Sequence, residues 1–372
     1  MITRVLQEIH LNMSGKISDN LGTASGLVKS ATDAPDSGSS DPTVSTNPSA
    51  VGDRFINTTS GELFVATDVT AGENIWKGQL GTDVEPIKYF GARGITLGGV
   101  NPSNSNVIDY VTISSAGDAT DFGDAVDSRR ACTNQASSGT RGVFGSGGSD
   151  TIQYVTCATT GNATDFGDLT RSVSGAGAVS NGTRGIWIAG NEADNVIEYV
   201  TIATTGNGTD FGDNLHQVTD NGTCNNDTRG VSGGGYDGSG GRDYTYITMA
   251  TTGNAADFGD MDVISWSGVA AVSDKTKGVW GGGISPAYQD RLEYINIASL
   301  GDASDFGNLT DGRSAFTSYG NGTRACWVAG WDGSSLSNII DYVTIASLGN
   351  ASDFGDVTEA RQRPGGLSGD AS

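Results

Sequence analysis

The chain has 372 residues, of which 57 are glycine and only 17% are charged, and its formal net charge is −22 at pH 7. Frequent glycine is typical of short strands joined by tight turns, and an acidic surface disfavours nucleic acid, whose phosphates it would repel. The sequence also has no apolar run long enough to span a membrane and no hydrophobic secretion signal at its start, so we expect neither insertion nor Sec export.

Residues 1–50 are predicted to form an extended, flexible anchoring arm. From Ser30 to Ala50 the chain is rich in Ser, Thr, Asp, Pro and Gly, and such a segment cannot bury enough apolar surface to fold alone. We therefore expect it to order on a larger assembly, with a flexible tail as the alternative.

Residues 51–84 are predicted to form a small β-hairpin module. Phe55 and Ile56 lead into a turn at Thr59-Ser60-Gly61, and Trp76 can cover one face. The second strand has alternating residues that would share a face: Leu63, Val65 and Thr67. Because a lone hairpin is only marginally stable in water, the module should pack on the next domain or on another subunit.

From residue 85 the chain is a repeat array. The stretch Tyr199–Gly212, YVTIATTGNGTDFG, recurs six times in related form, and in each copy a Tyr lies 12 residues before the Phe of an Asp-Phe-Gly triplet. The triplets follow one another at intervals of 44, 45, 47, 48 and 48 residues. They begin at Asp121, Asp165, Asp210, Asp257, Asp305 and Asp353 and contain Phe122, Phe166, Phe211, Phe258, Phe306 and Phe354.

Each repeat predicts four short strands, and four strands per unit of about 46 residues is the period of a propeller blade. The order of a glycine cluster, a Tyr and then an aromatic residue on the next strand resembles a kelch repeat, with Phe where kelch usually has Trp. We therefore expect an all-β protein in which residues 85–372 form a six-bladed kelch-like β-propeller. The first repeat opens at Gly91–Gly94 without its first strand, and Gly365–Ser368 would supply that strand and close the ring.

The six Asp-Phe-Gly triplets favour architecture over a kinase-like role, because no glycine-rich phosphate loop or catalytic loop accompanies them. Each Phe should pack between neighbouring blades. The triplet Asp and a recurring turn residue should hold the turn by side-chain to backbone bonds, and we prefer this to a calcium loop. The turn residues are Asp118, Asn162, Asn207, Asn254, Asp302 and Asn350.

A basic residue also recurs in every repeat, and it is predicted to pair with a triplet Asp. For example, Arg184 would pair with Asp165 or Asp210. The recurring basic residues are Arg93, Arg141, Arg184, Arg229, Lys277 and Arg324.

Length variation is concentrated in one loop of each repeat, because the basic residue precedes its Tyr by 13 to 18 residues whereas the later spacing is constant. Loops on a rigid scaffold often carry binding, although unrestrained loops also drift. Aromatic residues beside Asn and Asp could stack on a sugar or anchor a protein contact. The candidate binding residues are Tyr236, Asp237, Tyr288, Gln289, Trp331, Asp332, Asn104 and Asn191.

Catalysis and metal binding are poorly supported by the residues. His10 and His216 do not recur, and no carboxylate pair stands out from the turn aspartates. The four cysteines share no metal-ligand spacing and are expected to be free thiols: Cys132, Cys157, Cys224 and Cys326. We expect no enzyme, no cofactor and no metal.

The arm, the module Gly52–Trp76 and the repeats of the Tyr199–Gly212 type together resemble bacteriophage virion proteins, especially tail-fibre or appendage proteins of marine phages. This resemblance implies a structural protein of the tail, assembled in the host cytoplasm as an oligomer. Residues 1–84 would bind other virion proteins, and the variable loops would recognise a glycan or protein on the host surface. The alternatives are a capsid decoration or tail adaptor protein with a purely structural role, and an enzyme that degrades surface polysaccharide.

Overall fold

The computed structural model describes residues 34–43, 45–69, 74–81, 83–84, 90–130, 133–190, 195–236, 243–262, 267–284 and 286–370. All of the regular elements within these ranges are β-strands, so the all-β prediction is confirmed. The chain divides into two compact units, Met1–Pro86 and Ile87–Ser372, and each is described by itself.

The N-terminal unit contains a five-stranded sheet in which each strand pairs with the next along the chain. Its strands are β1 (Asp36–Gly38), β2 (Arg54–Asn57), β3 (Leu63–Asp68), β4 (Ile75–Gly78) and β5 (Asp83–Val84). Strand β1 pairs in parallel with β2 and lies in the range that the sequence assigned to the arm. The sheet therefore begins before residue 51 and contains more than a hairpin.

The predicted hairpin forms between β2 and β3, where Phe55 is opposite Phe64. The buried face of β3 carries Phe64 and Ala66, whereas the predicted alternating residues Leu63, Val65 and Thr67 point to the other face and are partly or fully exposed. Trp76 is buried and packs edge-on against Phe55, with ring centroids 6.0 Å apart. The aromatic residues, rather than the aliphatic alternation, thus identify the core of this small sheet.

The second unit contains six four-stranded sheets, formed by strands that follow one another along the chain. The strands of the first three repeats are β6 (Arg93–Leu97), β7 (Ser105–Thr112), β8 (Thr120–Arg129), β9 (Ala136–Ser137), β10 (Arg141–Phe144), β11 (Ser149–Thr156), β12 (Thr164–Val173), β13 (Gly177–Ser180), β14 (Arg184–Ile188), β15 (Val196–Thr201) and β16 (Thr209–Asp213). The remaining strands are β17 (Gly222–Asn225), β18 (Arg229–Gly233), β19 (Asp243–Thr248), β20 (Ala256–Asp260), β21 (Ala270–Ser273), β22 (Lys277–Gly281), β23 (Arg291–Asn296), β24 (Ser304–Asn308), β25 (Thr317–Gly320), β26 (Arg324–Val328), β27 (Ile339–Thr344), β28 (Ser352–Asp356) and β29 (Gly365–Gly369).

We number these sheets 1 to 6 along the chain and name the strands of each as inner, second, third and outer. Sheet 1 has the order β29-β6-β7-β8, and the last sheet has the order β25-β26-β27-β28. Gly365 is opposite Leu97 and Gly369 is opposite Arg93, so the C-terminal strand completes the first sheet as predicted. Each inner strand contacts the inner strands of the two neighbouring sheets, and this order of neighbours returns from sheet 6 to sheet 1.

The triplet Phe packs between neighbouring sheets, as predicted. Phe166 lies edge-on to Tyr154 of its own sheet, with ring centroids 6.0 Å apart, and shares a buried cluster with Val200 and Ile202 of the next sheet. The same edge-on pair of Tyr and Phe occurs in every repeat. Each hydrophobic cluster of the second unit is therefore built by two sheets together.

Backbone hydrogen bonds join each repeat to the preceding one at a contact that we call the turn joint. At the joint of sheets 2 and 3, the N–H of Gly206 donates to the Phe166 carbonyl at 2.8 Å and the N–H of Gly208 donates to the Asp168 carbonyl at 2.7 Å. Asn207 Oδ1 accepts from the N–H of Asp168 at 3.1 Å. The recurring turn residue therefore binds the backbone of the preceding sheet instead of holding its own turn, which corrects the prediction.

The same side-chain bond occurs at all six turn joints, and the last one runs from the N–H of Asp356 to Asp118 of sheet 1. Among the described residues, no side-chain hydrogen bond uses a triplet carboxylate: these groups are exposed on the outer strands. Prediction of a turn-holding role for the triplet Asp is therefore wrong.

The recurring basic residue lies on the face of the recurring Tyr. The Arg184 guanidinium is 4.7 Å from the Tyr199 ring centroid, and it donates to the Met249 carbonyl of the next sheet at 3.1 Å. Equivalent bonds to the next sheet occur in every repeat, and the last runs from Arg324 to the Ile113 carbonyl of sheet 1. No ion pair among the described residues joins a recurring basic residue to a triplet Asp, so the predicted pairing is wrong.

Buried ion pairs do join neighbouring sheets, but they use other residues. Arg361 pairs with Asp109, and Arg313 pairs with Asp341 at 2.7 Å; all four side chains are almost fully buried. The acid lies directly before the recurring Tyr of one sheet, and the arginine lies seven residues after the triplet Phe of the preceding sheet. This spacing was visible in the sequence, but only two of the six repeats have both partners.

Candidate functional site

The loops between second and third strands lie at one end of the six sheets, which we call the variable rim. They comprise residues 98–104, 145–148, 189–195, 234–242, 282–290 and 329–338. The links from an outer strand to the next inner strand lie at the same end, because the two kinds of loop are hydrogen-bonded to each other. For example, the N–H of Gly283 donates to the Arg313 carbonyl at 3.0 Å, and the N–H of Gly330 donates to the Arg361 carbonyl at 2.8 Å.

The predicted binding residues that the structure describes lie on four consecutive sheets of this rim. Asn104 is on sheet 1, Tyr236 on sheet 4, Tyr288 and Gln289 on sheet 5, and Trp331 and Asp332 on sheet 6. Asp237 and Asn191 lie outside the described residues. The loop of sheet 2 is only four residues long, 145–148, so the aromatic part of the rim is on one side.

Tyr288 and Trp331 are held against a single chain segment between them. Trp331 exchanges two backbone hydrogen bonds with Ser314, of 2.9 and 3.0 Å, and the N–H of Arg313 donates to the Gln289 carbonyl at 3.2 Å. The two aromatic residues, although 43 positions apart in the sequence, are therefore fixed side by side on sheets 5 and 6. We call Tyr288, Gln289, Trp331, Asp332 and Gly333 the aromatic patch.

Asp332 fixes the shape of its own loop. Its carboxylate accepts hydrogen bonds from the backbone N–H groups of Ser334 at 2.6 Å and Ser335 at 2.7 Å, and from both serine hydroxyls at 2.8 Å. These bonds, with the N–H of Ser335 first, hold the pKa of Asp332 well below its usual range. The carboxylate predicted to contact a ligand is thus used to order the loop.

Gly333 brings this loop against the tyrosine. Its φ is +99°, and a Cβ added there would lie 2.5 Å from Cε2 of Tyr288. Only glycine accepts both the backbone conformation and the close approach. The loop of sheet 6 therefore limits where the Tyr288 ring can lie.

The aromatic patch has polar groups that no described protein atom satisfies. Tyr288 and Trp331 are half-buried, and neither the Tyr288 hydroxyl nor Trp331 Nε1 has a hydrogen-bond partner among the described residues. By contrast, buried tryptophans in the sheets donate their indole N–H to protein oxygens. These tryptophans are Trp187, Trp280 and Trp327.

The charge near the aromatic patch is negative. Asp290 and Asp311 are exposed, whereas the nearest arginines are each paired with a carboxylate: Arg291 with Asp262, and Arg313 with Asp341. Paired arginines contribute little net field, so the unpaired charges that a ligand would meet are acidic.

The centre of the six sheets is crossed by side chains. Asn134 of sheet 2 donates to the Ala271 carbonyl of sheet 5 at 2.8 Å and to the Ser318 hydroxyl of sheet 6 at 2.9 Å. Arg363 of sheet 1 donates to Asp220 of sheet 4 at 2.8 Å. The main cavity between the inner strands has a volume of about 70 Å³, which fits about two water molecules.

Other chemistry was sought in the described part of the chain. No group of three or more metal-ligating side chains occurs there, and no helix there is long and apolar enough to cross a membrane. Three cysteines are free and buried, Cys157, Cys224 and Cys326, and burial raises the pKa of Cys157 to about 12. No protein-family model matches this chain, and no curated protein matches its sequence.

Proposed function

We propose that this protein is a structural and recognition protein of a bacteriophage tail, of the fibre or appendage type. In this proposal the N-terminal residues attach it to other virion proteins, and the variable rim binds a receptor on the host surface. One observation carries the recognition role: the recurring side chains are used in contacts between sheets, whereas the aromatic patch keeps hydrogen-bonding groups without protein partners.

The architecture in this proposal is a six-bladed kelch-like β-propeller. The circle of inner-strand contacts, the C-terminal strand in sheet 1 and the turn joint from sheet 6 to sheet 1 support it. A propeller of this kind gives a rigid support for loops at one rim, and binding residues commonly lie on loops that a rigid scaffold positions.

The assignment to a virion rests on the resemblance of the N-terminal module and the repeats to phage fibre proteins. A protein with a net charge of −22 stays soluble in the host cytoplasm until assembly, and free thiols suit that compartment. We further propose that the protein acts as an oligomer in the particle, which would place several variable rims near the cell surface.

The proposal is tested by adsorption of the labelled full-length protein to host cells, together with immunogold labelling of particles. We expect the label on the tail, and we expect adsorption that Trp331→Ala and Tyr288→Ala reduce. Leu348→Ala is a matched control, because Leu348 is exposed on a turn of sheet 6 outside the variable rim. Labelling of the capsid or tail without any adsorption would instead favour a decoration or adaptor protein.

A further inference from the structure

We propose that the aromatic patch binds an uncharged carbohydrate, with Tyr288 and Trp331 stacking on sugar rings and donating hydrogen bonds to their oxygens. This inference rests on the proposed recognition function and names the ligand class for it. It depends on three features of the patch: its rigidity, its unsatisfied hydrogen-bond donors and its charge.

Rigidity lowers the entropic cost of binding. The four hydrogen bonds to the Asp332 carboxylate order residues 332–335, and the paired backbones of Trp331 and Ser314 fix the start of the same loop. Gly333 then restricts the Tyr288 ring from one side. Because the two rings need little ordering when a ligand arrives, more of the contact energy appears as affinity.

The unsatisfied groups specify an oxygen-rich ligand. A half-buried aromatic ring with a free polar tip suits a partner that is apolar on one face and polar at its edge. The C–H face of a pyranose ring can stack on Tyr288 or Trp331, and its hydroxyl and ring oxygens can accept from the Trp331 indole N–H. The Asp332 carboxylate would not compete for sugar hydroxyls, because its own loop already supplies its donors.

The charge distinguishes among carbohydrates. Asp290 and Asp311 are exposed near the patch, and both nearby arginines are already paired. A uronate, sialate or sulfate group would approach these carboxylates without a free cation to bind it, so anionic polysaccharides should be rejected. A neutral glycan does not meet this repulsion.

The experiment uses the purified full-length chain and titrates it with soluble oligosaccharides, followed by calorimetry and by tryptophan fluorescence. Neutral probes are fragments of dextran, laminarin and mannan; anionic probes are fragments of alginate and polygalacturonate. We expect at least one neutral probe to bind and neither anionic probe to bind at low salt. Trp331→Ala and Tyr288→Ala should each weaken binding by roughly tenfold or more, and Trp331→Phe less.

Two further variants separate positioning from contact. Gly333→Ala keeps both aromatic residues but places a methyl group against Tyr288, and we expect it to weaken binding several-fold. Leu348→Ala should bind as the unsubstituted protein does. Thermal unfolding checks that every variant is folded.

The inference is overturned if none of the neutral probes binds, if an anionic probe binds as tightly at low salt, or if the folded Trp331→Ala and Tyr288→Ala variants bind unchanged. Cell adsorption separates this failure from failure of the proposed function. Adsorption that the neutral probes do not inhibit leaves the recognition function standing and rejects the ligand class. Glycan binding without adsorption supports the ligand class and rejects the tail-receptor role.

Discussion

The glycine of each Asp-Phe-Gly triplet is required by the neighbouring sheet. Gly212 has a φ of +146°, and a Cβ there would lie 2.5 Å from the carbonyl oxygen of Gly253 in the next turn joint. Gly206, in a turn, has a φ of +158° with nothing within 4 Å of an added Cβ. The two glycines thus share an unusual backbone conformation and differ in steric contact.

We expect Gly212→Ala to lower the free energy of unfolding by roughly 1–3 kcal/mol, because the turn joint must open to admit the methyl group. Gly206→Ala should cost less, since only backbone strain opposes it. Chemical denaturation of both variants measures the difference. Equal losses in the two variants would show that strain alone decides the preference for glycine.

Charge at one turn joint opposes folding. Partial burial first, and then Asp118 and Asp353, raise the pKa of Asp356. A carboxyl group with a raised pKa in the folded state binds its proton more tightly there than in the unfolded chain. This repulsion therefore weakens the fold as pH rises through the folded pKa and is absent at lower pH.

We expect Asp118→Asn to stabilise the protein at neutral pH by less than about 1 kcal/mol, because solvent screens the exposed carboxylates. The amide oxygen can still accept from the N–H of Asp356, as Asn162, Asn207 and Asn254 do at their joints. Thermal unfolding across a pH series checks this. The gain should disappear in acid; a gain that is independent of pH would exclude repulsion as its cause.

At the level of strands and sheets, the buried ion pairs have a neutral counterpart within the same molecule. Arg361 and Asp109 join sheets 6 and 1, whereas Val218 and Thr245 occupy the equivalent places between sheets 3 and 4. Both kinds of joint are buried, so the sheets can be connected there with or without charge.

We expect Arg361→Val to destabilise the protein by about 3–5 kcal/mol, because it leaves the Asp109 carboxylate buried without its partner. Adding Asp109→Thr copies the neutral joint and should restore most of that loss. Denaturation of the single and double variants forms the required cycle. A double variant no more stable than Arg361→Val would mean that the neutral joint cannot be transferred.

At the level of the whole second unit, the C-terminal strand connects the two ends of the repeat array. Strand β29 supplies the hydrogen-bond partner of β6, and Leu367 contributes to the cluster that contains Ile95 and Phe144. Without this strand, β6 would present an unpaired edge to solvent, and exposed edges promote association between molecules.

We expect a chain that ends at Pro364 to lose its cooperative thermal transition or to associate, as measured by calorimetry and size-exclusion chromatography. A chain that ends at Asp370 is the control, because it keeps β29 and should unfold as the full chain does. An unchanged transition in the shorter chain would show that β29 adds little to the stability of the repeat array.

Much of this fold could be predicted from short-range pattern. The number of repeats, the four strands in each, the C-terminal strand of sheet 1 and the loops that vary all follow from local periodicity, turn residues and spacing. Those features depend on residues that are near one another in the chain. The aromatic candidates Tyr236, Tyr288 and Trp331 were found in the same way, from the loops that carry them.

Only the tertiary structure decided which side chains meet. Arg361 and Asp109 are 252 positions apart, and Asn134 reaches Ser318 across 184 positions. The recurring arginines contact Tyr rings and carbonyls instead of the triplet acids, and Asp332 spends its carboxylate on its own loop. The sequence by itself determined the repeating strands and turns, because these are set by neighbours along the chain; the pairing of charged groups depends on burial and geometry that arise only when distant repeats pack together.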